Sequence, residues 1–155
     1  MKTMILYYSK TGHTLEAVNA TAEGIRSAGA EVDLVTVSDF RPAALADYDA
    51  LIVGSPCWAG SVTSGGLAKP IVKALGSLPP GCLLGKRCGG ISVHAKMGGE
   101  TTVTTLGRLL AEKGCKDYRP GPVAKAGSPF SLWKGRSVST QDEERFKVFG
   151  TDFVT

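Results

Sequence analysis

The chain reads as an α/β protein, a doubly wound five-stranded parallel sheet, on three observations. Short apolar runs alternate with segments whose apolar residues recur at helical spacing. The runs are continuous rather than alternating, as in strands buried on both faces. Three polar, glycine-bearing stretches, at residues 9–14, 55–66 and 94–99, each follow such a run. In open sheets of this class, ligands bind beyond the carboxyl ends of the strands, so the three stretches are expected to meet there.

Met4-Ile-Leu-Tyr-Tyr8 predicts the first buried strand, after which Leu15, Val18, Ala22 and Ile25 mark one face of a helix. Gly29 supplies its stop, and Val32 to Val37 predicts the second strand. A short helix is expected after Pro42, over Ala43–Tyr48, and Ala50-Leu-Ile-Val-Gly54 is the third strand. Beyond the loop Ser55–Gly66, residues Leu67, Ile71, Val72 and Leu75 predict a helix with Pro70 in or near its first turn. Arg87-Cys-Gly-Gly-Ile-Ser-Val93 is the fourth strand, and its two glycines predict close helix packing. After the loop His94–Gly99, residues Val103, Leu106 and Leu110 stripe the next helix, which Gly114 ends. The fifth strand falls between Cys115 and Lys125, and Ala126–Ser139 reads mostly as loop. Thr140-Gln-Asp-Glu143 matches a capping box that opens a last helix striped by Phe146, Phe149 and Phe153.

At 155 residues, with no internal repeat and no linker, the chain is expected to form a single domain over 1–155. No apolar run approaches membrane-spanning length, and Met1-Lys-Thr leads directly into a strand rather than a signal sequence. A cytoplasmic protein without membrane insertion is the expectation. Cys57, Cys82, Cys88 and Cys115 show neither C-x-x-C spacing nor clustering with His13 and His94, which argues against a zinc site and a secreted disulfide scaffold. They read as buried or loop thiols. The net charge of +4 is unevenly placed, with acids and bases nearly balanced up to Gly85 and bases predominating from Lys86 onward. No nucleic-acid-binding motif accompanies the excess, so a solvated basic face suited to an acidic partner is expected.

The first loop, Ser9-Lys-Thr-Gly-His-Thr14, joins a strand's carboxyl end to a helix's amino end, where unpaired amides and the dipole favour an anion. Ser9, Thr11 and Thr14 add neutral hydroxyl donors, and Gly12 lets the backbone curl. The spacing is neither G-x-x-x-x-G-K-[ST] nor G-x-G-x-x-G, which argues against nucleoside triphosphates and dinucleotides. A terminal phosphomonoester suits this loop. An ordinary turn with Ser and Thr capping the helix is the other reading of the same residues. In the second loop Trp58 stands among turn residues, placed either to stack on a flat ring or to line the core. In the third, Gly98 and Gly99 allow a ligand close to the backbone.

Ser9-Lys-Thr-Gly-His-Thr14, Gly54-Ser-Pro-Cys-Trp-Ala-Gly60 and the glycine-rich loop before the third long helix together resemble the flavodoxins and their flavodoxin-like relatives. The likeness covers most of the chain and extends to the closing Glu144-Arg-Phe-Lys-Val-Phe-Gly150. It implies strand order 2-1-3-4-5 and noncovalent binding of flavin mononucleotide (FMN). Carried over, Ser9, Thr11, Gly12, His13 and Thr14 would hold the phosphate, with Lys10 contributing mainly its backbone N–H. Trp58 would stack on one ring face, flanked by Pro56 and Cys57. The Ala59–Gly60 peptide matches the position that turns its carbonyl toward flavin N5–H on one-electron reduction. The backbone of His94, Ala95, Lys96, Met97 and Gly98 would meet the pyrimidine edge.

Two departures stand out. Flavodoxins are typically acidic and often carry a Tyr in the third loop, whereas this chain is basic and has His94-Ala-Lys-Met-Gly98. The second ring face is then open or covered by His94 or Met97, and Lys96 is expected to make the second reduction potential less negative. The resemblance implies an electron carrier serving redox partner proteins. Its enzymatic alternative is an NAD(P)H-dependent FMN reductase acting on small quinone or flavin substrates, and a third is a partner-binding domain without flavin. A phosphoacceptor response regulator is excluded, because Tyr8-Ser9 and Gly54-Ser55 stand where its acids belong.

Overall fold

The computed structural model describes residues 1–58, 65–95, 98–126 and 137–155. Among them, five strands, β1 (Lys2–Tyr7), β2 (Glu31–Thr36), β3 (Ala50–Cys57), β4 (Arg87–His94) and β5 (Asp117–Lys125), form one parallel sheet ordered β2-β1-β3-β4-β5. The order expected from the resemblance is the order found. Helices α1 (His13–Ser27) and α4 (Thr140–Val154) cover one face; α2 (Lys69–Gly76) and α3 (Gly99–Glu112) cover the other. Side chains alternate between the two cores, so Met4 and Leu6 point toward α2 and α3 while Ile5 points toward α1 and α4. The continuous apolar runs are thus buried on both faces. No described helix is long and apolar enough to cross a membrane.

Glycine sets the layer spacing. A Cβ on Gly89 would lie 3.0 Å from Phe153, and one on Gly90 would lie 3.0 Å from Leu106, so α4 and α3 press onto β4 from opposite sides. The crossing of α1 and α4 is tighter still. A Cβ on Gly24 would stand 2.0 Å from the Lys147 carbonyl oxygen, and one on Gly150 would stand 2.1 Å from that of Thr21. The Thr151 hydroxyl donates to the Gly24 carbonyl at 3.1 Å across this contact. At the sheet's outer edge β5 carries Pro120 and Pro122, a place in a sheet where proline is tolerated.

Four boundaries differ from expectation. Strand β3 continues through Ser55, Pro56 and Cys57, pairing Pro56 with Val93 and Cys57 with His94. Beyond Gly54 it has lost β1 as a neighbour, and a strand paired on one side tolerates proline. His94 accordingly ends β4 instead of opening a loop. The segment after Pro42 is a 3-10 helix, Pro42–Asp47, too short to develop α-helical bonding. Helix α4 is capped by Ser139, whose hydroxyl accepts from the Asp142 amide at 3.1 Å; Thr140, the first residue of the expected capping box, is already helical.

Edge strand β2 is tied down by Tyr48, whose hydroxyl donates to Asp33 Oδ2 at 2.6 Å. That bond, with burial second, pushes the Tyr48 phenol from 10.0 up to about 12. A folded-state pKa above the unfolded value means the tie stabilises fully below pH 10 and is lost as pH rises through about 12. Tyr48→Phe is expected to cost about 0.5–1 kcal/mol at neutral pH. The deficit should vanish between pH 10 and 12 in thermal unfolding of the two proteins. A deficit that stays constant through that window would show that the hydroxyl bond is not what the variant removed.

Candidate functional site

The first loop wraps around one hydroxyl. Ser9 Oγ accepts from the amides of Gly12 at 3.1 Å and Leu15 at 3.3 Å, so both its lone pairs are used and its O–H remains to donate outward. Gly12 lies in the left-handed region, with φ 93°, and forms the N-cap of α1 without a side-chain cap. A larger residue would be strained there. The loop is shorter than expected, because His13 and Thr14 already belong to the helix. Among the described residues none accepts from the Thr14 amide. Thr14 is buried with its methyl toward Gly54, while Lys10 is exposed.

Trp58 follows the end of β3. Its amide donates to the Gly66 carbonyl at 2.7 Å, and its ring meets Tyr8 edge-on, with centroids 5.6 Å apart and planes at 82°. Tyr8 stands between β1 and Ser9, so this aromatic pair joins the first loop to the second. Cys57 Sγ fills the space left by two glycines, 2.7 Å from where Gly66 would carry a Cβ and 3.0 Å from where Gly98 would. Gly98, at φ 100°, is the N-cap of α3 and again provides no side-chain cap. Two helices therefore begin on bare glycine at the carboxyl edge of the sheet, whereas α4 closes its own amino end with Ser139. Bare helix starts leave backbone donors and dipole for an anionic or electron-rich ligand.

The structure brings Ser9, Thr11, Gly12, Thr14, Pro56, Cys57, Trp58, His94, Ala95 and Gly98 to this edge from the ends of β1, β3 and β4 and the starts of α1 and α3. His13, at the start of α1, is buried, and its Nδ1 lies 2.7 Å from Glu16 Oε1. Glu16 Oε2 in turn accepts from the Val138 amide at 3.2 Å. His94 Nδ1 is buried and bonded to no described residue. Ala59, Gly60, Lys96 and Met97 lie outside the described residues, as does Trp133. Sequence reasoning missed Tyr8, absorbed into the first apolar run, and the return arm Gly65-Gly66, whose double glycine was the available signal.

The four thiols are in no disulfide, with Cys88 and Cys115 buried. Burial, reinforced by the neighbouring Cys115, raises the Cys88 thiol far above its ordinary range, and burial also raises Cys82. Cys88 and Cys115, both buried, pack as structural fillers on the α2/α3 side of the core, with the half-buried Cys82 against them.

A five-stranded sheet in this order, with uncapped helix starts converging at its carboxyl edge, defines the flavodoxin-like class of α/β proteins. The family described as Flavodoxin matches residues 5–81, from β1 through α2. An NAD(P)H dehydrogenase (quinone) of Chromohalobacter salexigens is 32% identical over 154 residues, covering 84% of this chain and 72% of that protein. One of Bradyrhizobium sp. is 35% identical over 127 residues, covering 68% of this chain and 63% of its own length. Among solved structures, oxidised flavodoxin 2 of Bacillus cereus superposes with a TM-score of 0.78 at 20% identity, over 99% of this chain and 98% of that one. The rubredoxin oxygen:oxidoreductase of Desulfovibrio gigas gives 0.73 at 21% identity, covering 96% of this chain and 34% of that chain. The chain belongs to the flavodoxin-like family.

Proposed function

We propose that the chain is one flavodoxin-like domain that binds FMN in the three loops and serves as a cytoplasmic electron-transfer protein. The observation that carries this reading is the Ser9–Gly12 cradle: a hydroxyl saturated as acceptor, a left-handed glycine and an uncapped helix start. Such a cradle offers donors and no carboxylate, as a phosphomonoester requires. Bound flavin supplies the redox chemistry, taking up and releasing electrons at its ring. The protein's residues bind and orient it. Ser9, Thr11, Thr14 and the loop amides, including that of Lys10, hold the phosphate. Trp58, braced by Tyr8, faces the ring, while Ala95 and Gly98 offer backbone to its polar edge. The same roles are proposed for Ala59, Gly60, Lys96 and Met97 as the family resemblance assigns them. Acidic redox proteins suit the basic second half of the chain.

The printed names of the relatives in Chromohalobacter and Bradyrhizobium favour a second reading, NAD(P)H-dependent reduction of quinones. The near-complete overlap with flavodoxin chains supports the carrier. Absorption spectra during stepwise reduction of the FMN-loaded protein separate the two. A carrier changes its spectrum in two resolved phases and leaves NAD(P)H untouched. Rapid NAD(P)H oxidation with added quinone assigns the reductase. FMN is expected to bind far more tightly than riboflavin under either reading, and equal affinities would remove the phosphate role from the first loop.

Trp58 is expected to lose most of its fluorescence when FMN binds and to recover it when the flavin is removed. Trp58→Ala isolates its signal from that of Trp133. If that variant binds FMN as the parent does and shows the same quenching, Trp58 does not face the ring.

A further inference from the structure

We propose that Thr102 is a positioning residue, a latch that sets where Trp58 stands and thereby shapes the ring side of the site. Its consequence for flavin rests on the function proposed above; its geometry does not. Thr102 lies in the first turn of α3 and is fully buried. Its hydroxyl is 3.1 Å from the Gly65 carbonyl oxygen and 3.2 Å from that of Gly98. Helical threonines commonly return their hydroxyl to the carbonyl four residues back, which here is Gly98. The Gly65 carbonyl comes from the arm returning from the second loop, so one O–H is shared between two loops.

The latched carbonyl is one residue from the one that holds Trp58. Gly66, beside Gly65, accepts the Trp58 N–H at 2.7 Å. The arm lies flat on α3 because no side chain fits beneath it. A Cβ on Gly65 would come within 2.0 Å of Thr105 Oγ1, and one on Gly66 within 2.8 Å of Thr102 Oγ1. Both glycines have positive φ, 62° and 84°. Displacing the arm therefore displaces the carbonyl that fixes Trp58, and the Tyr8–Trp58 contact with it. Removing the hydroxyl takes a donor from a half-buried loop carbonyl, a cost the arm relieves by lifting away toward water.

The test uses Thr102→Val, which keeps the shape and removes the hydroxyl, and Thr102→Ser, which restores it. In flavin-free protein, near-ultraviolet circular dichroism reports the Trp58–Tyr8 pair, with Trp58→Phe as baseline. Thr102→Val is expected to collapse toward that baseline and Thr102→Ser to recover the parent signal. Thr102→Val should also weaken FMN and riboflavin by the same factor, roughly three- to tenfold, because the latch acts on the ring side and not on the phosphate. An unchanged dichroism, a loss confined to FMN, or a Ser variant that restores nothing overturns the latch. If the parent protein binds neither flavin, the functional reading fails and the dichroism alone decides the latch. If Thr102→Val does not fold, Gly65→Ala, which drives a methyl against Thr105 and lifts the same arm, is read in the same way.

Discussion

Gly24→Ala and Gly150→Ala are each expected to destabilise the fold by about 3 kcal/mol or more, lowering the unfolding temperature by roughly 6–12 °C. Alanine is ordinarily the better helix former, so propensity alone predicts the opposite sign. Packing decides here, because each new methyl would meet a carbonyl oxygen of the facing helix at about 2 Å. Backbone cannot rotate away as a side chain can, so α1 and α4 must separate. Separation also breaks the Thr151 bond to the Gly24 carbonyl. The two substitutions widen the same crossing, and the double variant should therefore cost less than the sum of the singles. Gly76→Ala is the control: it closes α2 with open space around it and should be neutral or slightly stabilising. Thermal unfolding of the four proteins checks the set. A Gly24→Ala protein as stable as the parent would mean that the helices do not cross at this distance.

Ser9→Ala is expected to weaken FMN by roughly 2–3 kcal/mol, about thirty- to a hundred-and-fiftyfold, while leaving riboflavin nearly unchanged. Two losses combine. The outward O–H no longer donates to the phosphate, and the amides of Gly12 and Leu15 lose the oxygen that holds the loop curled. Flavin fluorescence titration with both ligands measures the difference directly. Ser9→Thr keeps the oxygen and should recover most of the affinity. If alanine reduces affinity for both flavins equally, Ser9 supports the ring and the phosphate lies elsewhere.

The strands and helices were legible because each buries a face whose period shows in the residues. Continuous runs such as Ala50-Leu-Ile-Val-Gly54 are buried on both sides, and stripes such as Phe146, Phe149 and Phe153 cover the sheet. The glycines of β4 also signalled close packing, and Phe153 and Leu106 do press on them. What escaped notice depends on partners distant in the chain. Strand β3 runs past Gly54 because β4 continues to offer it a pairing partner, which no local pattern records. The Gly24–Gly150 crossing looks like two weak helix positions until the helices are laid together. At the site, the loop Ser9–Thr14 announced its donors, but not that Ser9 would spend its lone pairs on Gly12 and Leu15. His13, expected in that loop, opens α1, and its ring lies beside Glu16 three residues on, a contact the motif does not announce. The Tyr8–Trp58 contact, across 50 residues of chain, had no signal in either segment.

Pro120 and Pro122 on β5 have a consequence for how molecules of this protein meet. A bare outer strand is a template on which an extended segment of a neighbour can zip up, the first step toward fibrils and edge-to-edge sheets. Two prolines within three residues remove two amides from that strand and make it a poorer template. The sheet therefore ends chemically as well as geometrically at β5, and contact on that flank is left to side chains. An edge that resists extension keeps chance contacts between copies of this chain reversible.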